Sequence, residues 1–229
     1  MNRVSTCLLV LLLGLSVPAF SQVKFGVKGG LNVSEVSGYD KFYKSLNGIF
    51  GESSTGLNEK SKSGYHLGVM MQADIPATDF FIQPELLFSN QGSKLEMSVN
   101  LGAVGLDKIT TTRADNLNYL QLPIYAGYRI DLGTGLELIL AAGPYFSYGV
   151  YASNDEFKKN GGLVKLDRFD MGLSFMGGIQ LNDKMQITVG YDWGVKNIAD
   201  SDKWDSGESN IKLPSIRNRN LKLSVGYFF

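Results

Sequence analysis

Apolar and polar residues alternate at period two along most of this chain. In residues 221–229, Leu221, Leu223, Val225, Tyr227 and Phe229 share one parity, and Lys222, Ser224, Gly226 and Phe228 share the other. Successive side chains of a strand point to opposite faces, so this pattern predicts a strand with one apolar face. Seven more stretches read the same way: residues 23–34, 65–75, 80–89, 117–130, 136–151, 168–181 and 185–195. In the first, Val23, Phe25, Val27, Leu31 and Val33 alternate with Lys24, Gly26, Lys28, Gly30 and Asn32. In the seventh, Ile187, Val189, Tyr191 and Trp193 alternate with Gln186, Thr188 and Asp192.

The connections alternate as strictly as the residues do. Residues 75–79, 131–135 and 181–184 are short turns rich in Pro, Gly, Asn and Asp, which are turn formers. Residues 35–64, 90–116, 152–167 and 196–218 are long and polar. An up-and-down meander puts all the long connections at one end. The pattern predicts an all-β fold: an eight-stranded antiparallel up-and-down transmembrane β-barrel with short periplasmic turns and long extracellular loops. A last strand that ends on an aromatic fits closure against the first strand in lipid better than the bare edge of a soluble sheet.

The N-terminus gives this barrel a route. Asn2 and Arg3 precede an apolar run from Cys7 to Leu13 that extends to Val17, followed by Pro18-Ala19-Phe20-Ser21. The run is shorter than the roughly 20 residues of a spanning helix. Residues 1–21 therefore read as a cleaved signal peptide and residues 22–229 as one outer-membrane β-barrel domain. Cys7, the single cysteine, leaves with the signal. A disulfide scaffold, a thiol nucleophile and a cysteine metal site are then excluded from the mature chain.

Composition adds two facts. Lys+Arg and Asp+Glu both number 22, so no net field points to nucleic acid. Gly (27), Phe (13) and Tyr (11) are abundant, which suits strands and interfacial girdles. Phe80, Tyr128, Tyr148, Trp193, Tyr227 and Phe229 lie at strand ends and are read as those girdles.

The minor parity carries the candidate chemistry. Lys24, Lys28, Arg129, Arg168 and Lys222 balance Asp74, Glu85, Glu137, Asp170 and Asp192. Gln72, Gln83, Gln180 and Gln186 share that parity. An eight-stranded barrel is only wide enough for side chains to fill it. Balanced charges on its inner face predict a lumen polar network that seals it; a selective pore lined by the same residues is the alternative. Pro84, Pro123 and Pro144 fall inside predicted strands, where each removes a ladder donor.

Several of these segments carry a family resemblance. Residues 82–92, containing Gln83-Pro84-Glu85-Leu86, resemble the Gln-Pro-Glu-Leu hairpin run of the PorT-type outer-membrane β-barrel proteins, a porin family of Bacteroidota-like bacteria. Tyr119-Leu120-Gln121-Leu122-Pro123 is similar to that family's Tyr-Leu-x-Ile-Pro strand. Gly143-Pro144-Tyr145, Phe169-Asp170-Met171-Gly172, Tyr191-Asp192-Trp193-Gly194 and Tyr227-Phe228-Phe229 follow in the family's order. The resemblance implies an integral multi-pass barrel of the bacterial outer membrane. It places Pro84 and Pro123 within recurring motifs. The PorT member is linked to protein secretion. Val225, Tyr227 and Phe229 resemble the assembly signal that the barrel-assembly machinery reads on a terminal strand.

No catalytic constellation stands out, and no cofactor is expected. His66, the single histidine, has inward parity and no nucleophile motif near it, so it reads as an interior hydrogen-bonding group. Asp200, Asp202, Asp205 and Glu208 are calcium candidates by residue type, but their spacing departs from the EF-hand pattern and favours a solvated acidic loop. Lys203, Lys212, Arg217 and Arg219 are candidates for lipopolysaccharide phosphates at the outer leaflet. The favoured expectation is a non-enzymatic outer-membrane barrel with a side-chain-filled lumen and a structural, adhesive or complex-forming role. It would contact outer-membrane lipid and meet protein partners through its extracellular loops. The alternatives are a narrow pore for small solutes and a soluble periplasmic lipocalin-like binding barrel.

Overall fold

The computed structural model describes residues 23–37, 55–99, 109–152, 168–196 and 217–229. They form eight strands: β1 (Val23–Ser37), β2 (Thr55–Asp74), β3 (Phe80–Val99), β4 (Ile109–Asp131), β5 (Leu136–Ala152), β6 (Phe169–Leu181), β7 (Met185–Gly194) and β8 (Arg217–Phe228). Each strand pairs antiparallel with the next, and β8 pairs with β1 to close the barrel. Closure runs from Gly26 opposite Phe228 to Ser37 opposite Arg217. It leaves no free edge, which a sheet in lipid requires. Residues 1–22, which include the expected signal peptide, lie outside the described residues.

Burial repeats the sequence parity. In β8 exposed and buried residues alternate without a break from Arg217 to Phe228. The exposed set includes Phe25, Leu31, Leu67, Val69, Leu140, Val189, Leu223 and Val225, so the wall is apolar outside. The interior is lined by Lys, Asn, Gln, Ser and Asp side chains together with an apolar cluster. A soluble lipocalin-like barrel needs the opposite polarity, so that alternative is set aside. Aromatic pairs mark both ends of the wall. Phe80 meets Tyr128 edge-on at 4.9 Å and Tyr227 meets Phe229 at 6.1 Å near the short turns. Phe146 stacks with Phe169 at 6.5 Å near the long connections.

Three strands run farther outward than the alternation predicts. β2 begins at Thr55 rather than near residue 65, β3 continues to Val99 rather than residue 89, and β4 begins at Ile109 rather than residue 117. Their outer parts pair with one another, Thr55 to Ser61 against Ser93 to Val99, and Ile109 to Asn116 against Gly92 to Val99. Residues 55–64 and 109–116 hold few apolar side chains, and in β3 the alternation of Leu95, Met97 and Val99 falls on the parity opposite to Phe80, Ile82, Leu86 and Phe88, so the single apolar stripe that marks each strand ends before the ladder does.

The prolines fall into one diagonal seam. Pro84 lies opposite Ile124, the neighbour of Pro123; Pro123 lies opposite Tyr145, the neighbour of Pro144. The β3–β4 register is the same on both sides of the gap at residues 85–86. The β4–β5 register likewise holds across residues 124–125. The donors lost to proline are thus confined to adjacent positions on neighbouring strands, and no bulge is needed there.

Candidate functional site

The lumen is the site that the minor parity predicts, and it is built in layers. At the periplasmic end Lys24 on β1 meets Asp183 in the β6–β7 turn at 2.7 Å and Asp74 on β2 at 3.7 Å. Arg129 on β4 also bonds Asp74, and its guanidinium lies 5.1 Å over the Phe81 ring. Phe81 in turn occupies the space above Gly127, where an added Cβ would fall 2.2 Å from the ring. Glu137 sits half-buried at this end. The bond from Lys24 holds the Asp183 carboxyl below the usual carboxylate range.

Above this layer four glutamines interlock. Gln72 donates to Gln83 at 3.0 Å, Gln186 donates to Gln180 at 2.7 Å, and Gln83 donates to Gln186 at 3.3 Å and to Glu85 at 2.8 Å. Each of the four has the minor parity, but only the barrel's closure brings β2, β3, β6 and β7 side chains together. Beside them Phe81, Tyr125, Ile139 and Met176 form an apolar cluster inside the lumen. The polar network therefore shares the lumen with an apolar layer. The alternation ranks the two faces of a strand, but it does not forbid an apolar residue such as Ile139 on the inner one.

Two ion pairs occupy the middle. Lys28 on β1 meets Glu85 on β3 at 2.6 Å, with both side chains at most 4 % exposed. Lys222 on β8 meets Asp192 on β7 at 2.8 Å, equally buried. Asp192 also accepts from Ser174, from Gln121 at 2.9 Å and from Asn220 at 3.3 Å. Tyr125 links the pairs: its ring lies 5.8 Å from the Lys28 ammonium, and its hydroxyl stands 2.7 Å from Ser174 and 3.5 Å from Lys222. Such pairs keep each desolvated charge compensated.

His66 has partners that its sequence surroundings did not reveal. Its Nδ1 stands 2.6 Å from Asn32 Oδ1 and its Nε2 stands 2.9 Å from Ser224 Oγ. Asn32 Nδ2 donates to Ser89 Oγ at 3.1 Å and to the Asn90 carbonyl at 2.9 Å, which fixes its oxygen toward the histidine. Nδ1 therefore carries the proton, and Ser224 donates to Nε2. The order serine, imidazole, amide matches that of a nucleophile with its base and orienter. All three side chains are at most 3 % exposed, however, so the set ties β1, β2 and β8 together in a packed interior.

At the outer end Lys62 donates to Asn90 at 2.9 Å and to the Gln91 carbonyl at 3.1 Å. Asn90 donates to Asn118 at 2.7 Å, Asn218 donates to Gln91 at 2.7 Å, and Tyr145 donates to Asp170 at 3.0 Å. Among the predicted network residues, Lys28, Glu85, Asp170, Asp192 and Lys222 are buried, and Lys24, Arg129 and Glu137 are half-buried. Arg168 departs from the expectation. It shares the inward parity but precedes the first residue of β6 and is exposed, because the strand that would aim it inward begins one residue later.

The remaining predicted groups lie at the wall or beyond the described residues. Val225, Tyr227 and Phe229 face outward on or just after β8. Arg217 and Arg219 are exposed at its outer end. Asp200, Asp202, Asp205, Glu208, Lys203 and Lys212 fall outside the described residues. Among the described residues no group of three or more His, Cys, Asp or Glu side chains is placed to hold a metal.

Among curated proteins, none matches this chain. Among solved structures it is similar to Neisserial surface protein A, at 13 % identity over 91 % of this chain and 100 % of that one, with a TM-score of 0.45. It is similar to OprG from Pseudomonas aeruginosa, at 12 % identity over 90 % and 95 % of the two chains, with a TM-score of 0.44. It is also similar to Ail, the attachment invasion locus protein of Yersinia pestis, in complex with the heparin analogue sucrose octasulfate; identity is 13 % over 91 % and 99 %, with a TM-score of 0.38. The family model described as outer membrane protein beta-barrel domain matches residues 18–200. The closed eight-stranded barrel, with its apolar wall and polar interior, thus belongs to the outer membrane protein beta-barrel domain family and is an integral barrel of the outer membrane.

Proposed function

We propose that this barrel is non-enzymatic, that its lumen is sealed by its own side chains, and that it works through its extracellular loops in a structural, adhesive or complex-forming role. The observation that carries the reading is the run of contacts from the half-buried Lys24 and Asp74 at the periplasmic end, through the buried Lys28–Glu85 and Lys222–Asp192 pairs, to Asn90, Gln91 and Asn218 at the outer end. A permanent aqueous path would have to break ion pairs that are desolvated, which is costly. The PorT-type resemblance within Bacteroidota-like bacteria belongs to this proposal. So do a cleaved signal at residues 1–21, contact of Arg217 and Arg219 with lipopolysaccharide phosphates, and recognition of the Val225, Tyr227 and Phe229 strand by the assembly machinery. Bilayer recording on the purified full chain is the test. The expected record is quiet; steady nanosiemens-scale currents would overturn the sealed lumen in favour of a narrow pore.

A further inference from the structure

The apolar side chains inside the lumen are held as closely as the polar ones. Phe81, Tyr125, Ile139 and Met176, from β3, β4, β5 and β6, form one buried cluster with Ala141 packed against it. Phe81 lies directly opposite Gly127 in the β3–β4 ladder. Its ring takes the space that a larger residue would need there, since an added Cβ would come within 2.7 Å of both Cε atoms. The Arg129 guanidinium, from the periplasmic layer, stands 5.1 Å over the same ring. The Lys28 ammonium, from the middle layer, donates to Met176 Sδ at 3.3 Å and stands 5.8 Å from the Tyr125 ring. The cluster is thus bounded by one charged layer on each side.

A second apolar group fills the lumen beside β1 and β8. Met70 and Phe228 are both at most 2 % exposed. The Met70 Cε atom lies 2.9 Å from the Cβ that Gly26 lacks and 2.6 Å from the one that Gly226 lacks, and Phe228 Cδ1 lies 3.0 Å from the former. Two inward-facing glycines on paired strands therefore leave the room that Met70 occupies. Gln83 Nε2 stands 4.0 Å from Met70 Sδ and bonds Gln186 and Glu85, so the glutamines adjoin this group. Their amides are directed at one another and at Glu85.

Ion pairs and apolar side chains resist water differently. A buried pair must be separated for water to pass, and the hydration of the freed charges partly offsets that cost. Water that enters an apolar layer finds no hydrogen-bond partner, so apolar space stays dry and a hydrophobic constriction closes a channel by dewetting. We propose that the apolar layer around Phe81 is the barrier to water and ions in this lumen, with the Phe81 ring on Gly127 as its plug. The Lys28–Glu85 and Lys222–Asp192 pairs tie strands together and are not the seal. This inference rests on the sealed-lumen reading and locates the seal within it.

The test compares bilayer currents of purified full-length variants, each checked for folding by heat-modifiable migration. Phe81→Leu and Phe81→Asn leave side chains of nearly equal shape that differ in polarity. Phe81→Asn should carry currents at least several-fold above the wild-type leak, and Phe81→Leu should stay quiet. The double variant Lys28→Ser/Glu85→Ser, which removes a whole ion pair, should stay quiet as well. A quiet Phe81→Asn, equal currents in Phe81→Leu and Phe81→Asn, or currents in the double variant would each overturn the proposal. Currents in the wild type would instead bring down the sealed-lumen reading itself, and the location of the seal with it. Should Phe81→Asn fail to fold, Ile139→Asn places the same amide in the layer from β5, with Ile139→Leu as its control, and the same outcomes decide.

Discussion

Asp192 shows what a single buried side chain does in this lumen. It faces Lys222 at 2.8 Å and gathers Ser174, Gln121 and Asn220. Asp192→Asn keeps the shape but leaves the lysine charge buried and unpaired, a change that costs about 3–5 kcal/mol in other buried pairs. Urea unfolding of the refolded variant should show a loss of that size. Replacing both partners with apolar side chains of similar volume should recover most of it, because the expense lies in the lone charge rather than in the missing bond. Nothing in the order of residues marks which lysine meets which acid. Lys28 and Glu85 are 57 residues apart, and their meeting depends on β1, β2 and β3 holding register. Parity places a residue on the inner face, but partner choice needs the stagger of the closed barrel. The same limit hid the Asn32–His66–Ser224 set, whose members come from β1, β2 and β8.

At the scale of the elements, the short turns carry the backbone strain. In the β2–β3 turn Ile75 accepts from the Thr78 amide at 3.2 Å, Pro76 takes the second position, and Ala77 takes the third at φ 60°. Proline second with a positive φ third is the type II pattern, in which glycine is preferred. The left-handed conformation costs an L-residue roughly 1–2 kcal/mol. Ala77→Gly relieves that cost but frees the unfolded chain, so the expected outcome is a gain of about 0.5–1 kcal/mol in urea unfolding. The β6–β7 turn solves the same problem with Asn182 and Asp183, both at positive φ, as a type I′ hairpin requires. There the Lys24 bond holds the Asp183 carboxyl low. A carboxyl whose folded value lies below its unfolded value stabilises the fold above the unfolded value, roughly 3.9, and loses that contribution as pH falls through the folded one. Stability profiles of wild type and Asp183→Asn should therefore run parallel above about pH 5 and converge in stronger acid, with a smaller gap at high salt. These turns were legible because Pro, Gly, Asn and Asp mark them. The outer halves of β2, β3 and β4 were not: residues 55–64 and 109–116 hold few apolar side chains, and Leu95, Met97 and Val99 alternate on the parity opposite to Phe80, Ile82, Leu86 and Phe88.

The whole molecule depends on β8 closing against β1, and Phe229 stands just beyond that seam. Its amide donates to the Phe25 carbonyl at 2.9 Å, and its side chain is 79 % exposed on the outer wall near the short turns. Changing it to Asp keeps the backbone bond and removes one edge contact with Tyr227 at 6.1 Å. A charge on a barrel's lipid face costs only about 0–1 kcal/mol near the interface, and an acid less than a base. Thermodynamics alone therefore predicts a nearly normal finished barrel, and Phe229→Asp refolded from urea into detergent should lie within about 1 kcal/mol of wild type. If the aromatic terminus is also read during assembly, the same variant in cells should reach the outer membrane several-fold less than wild type. Quantifying heat-modifiable protein in membrane fractions, beside the refolding measurement, separates the two roles. Normal membrane levels would remove the assembly role, and a large loss of refolded stability would make the residue a packing element instead.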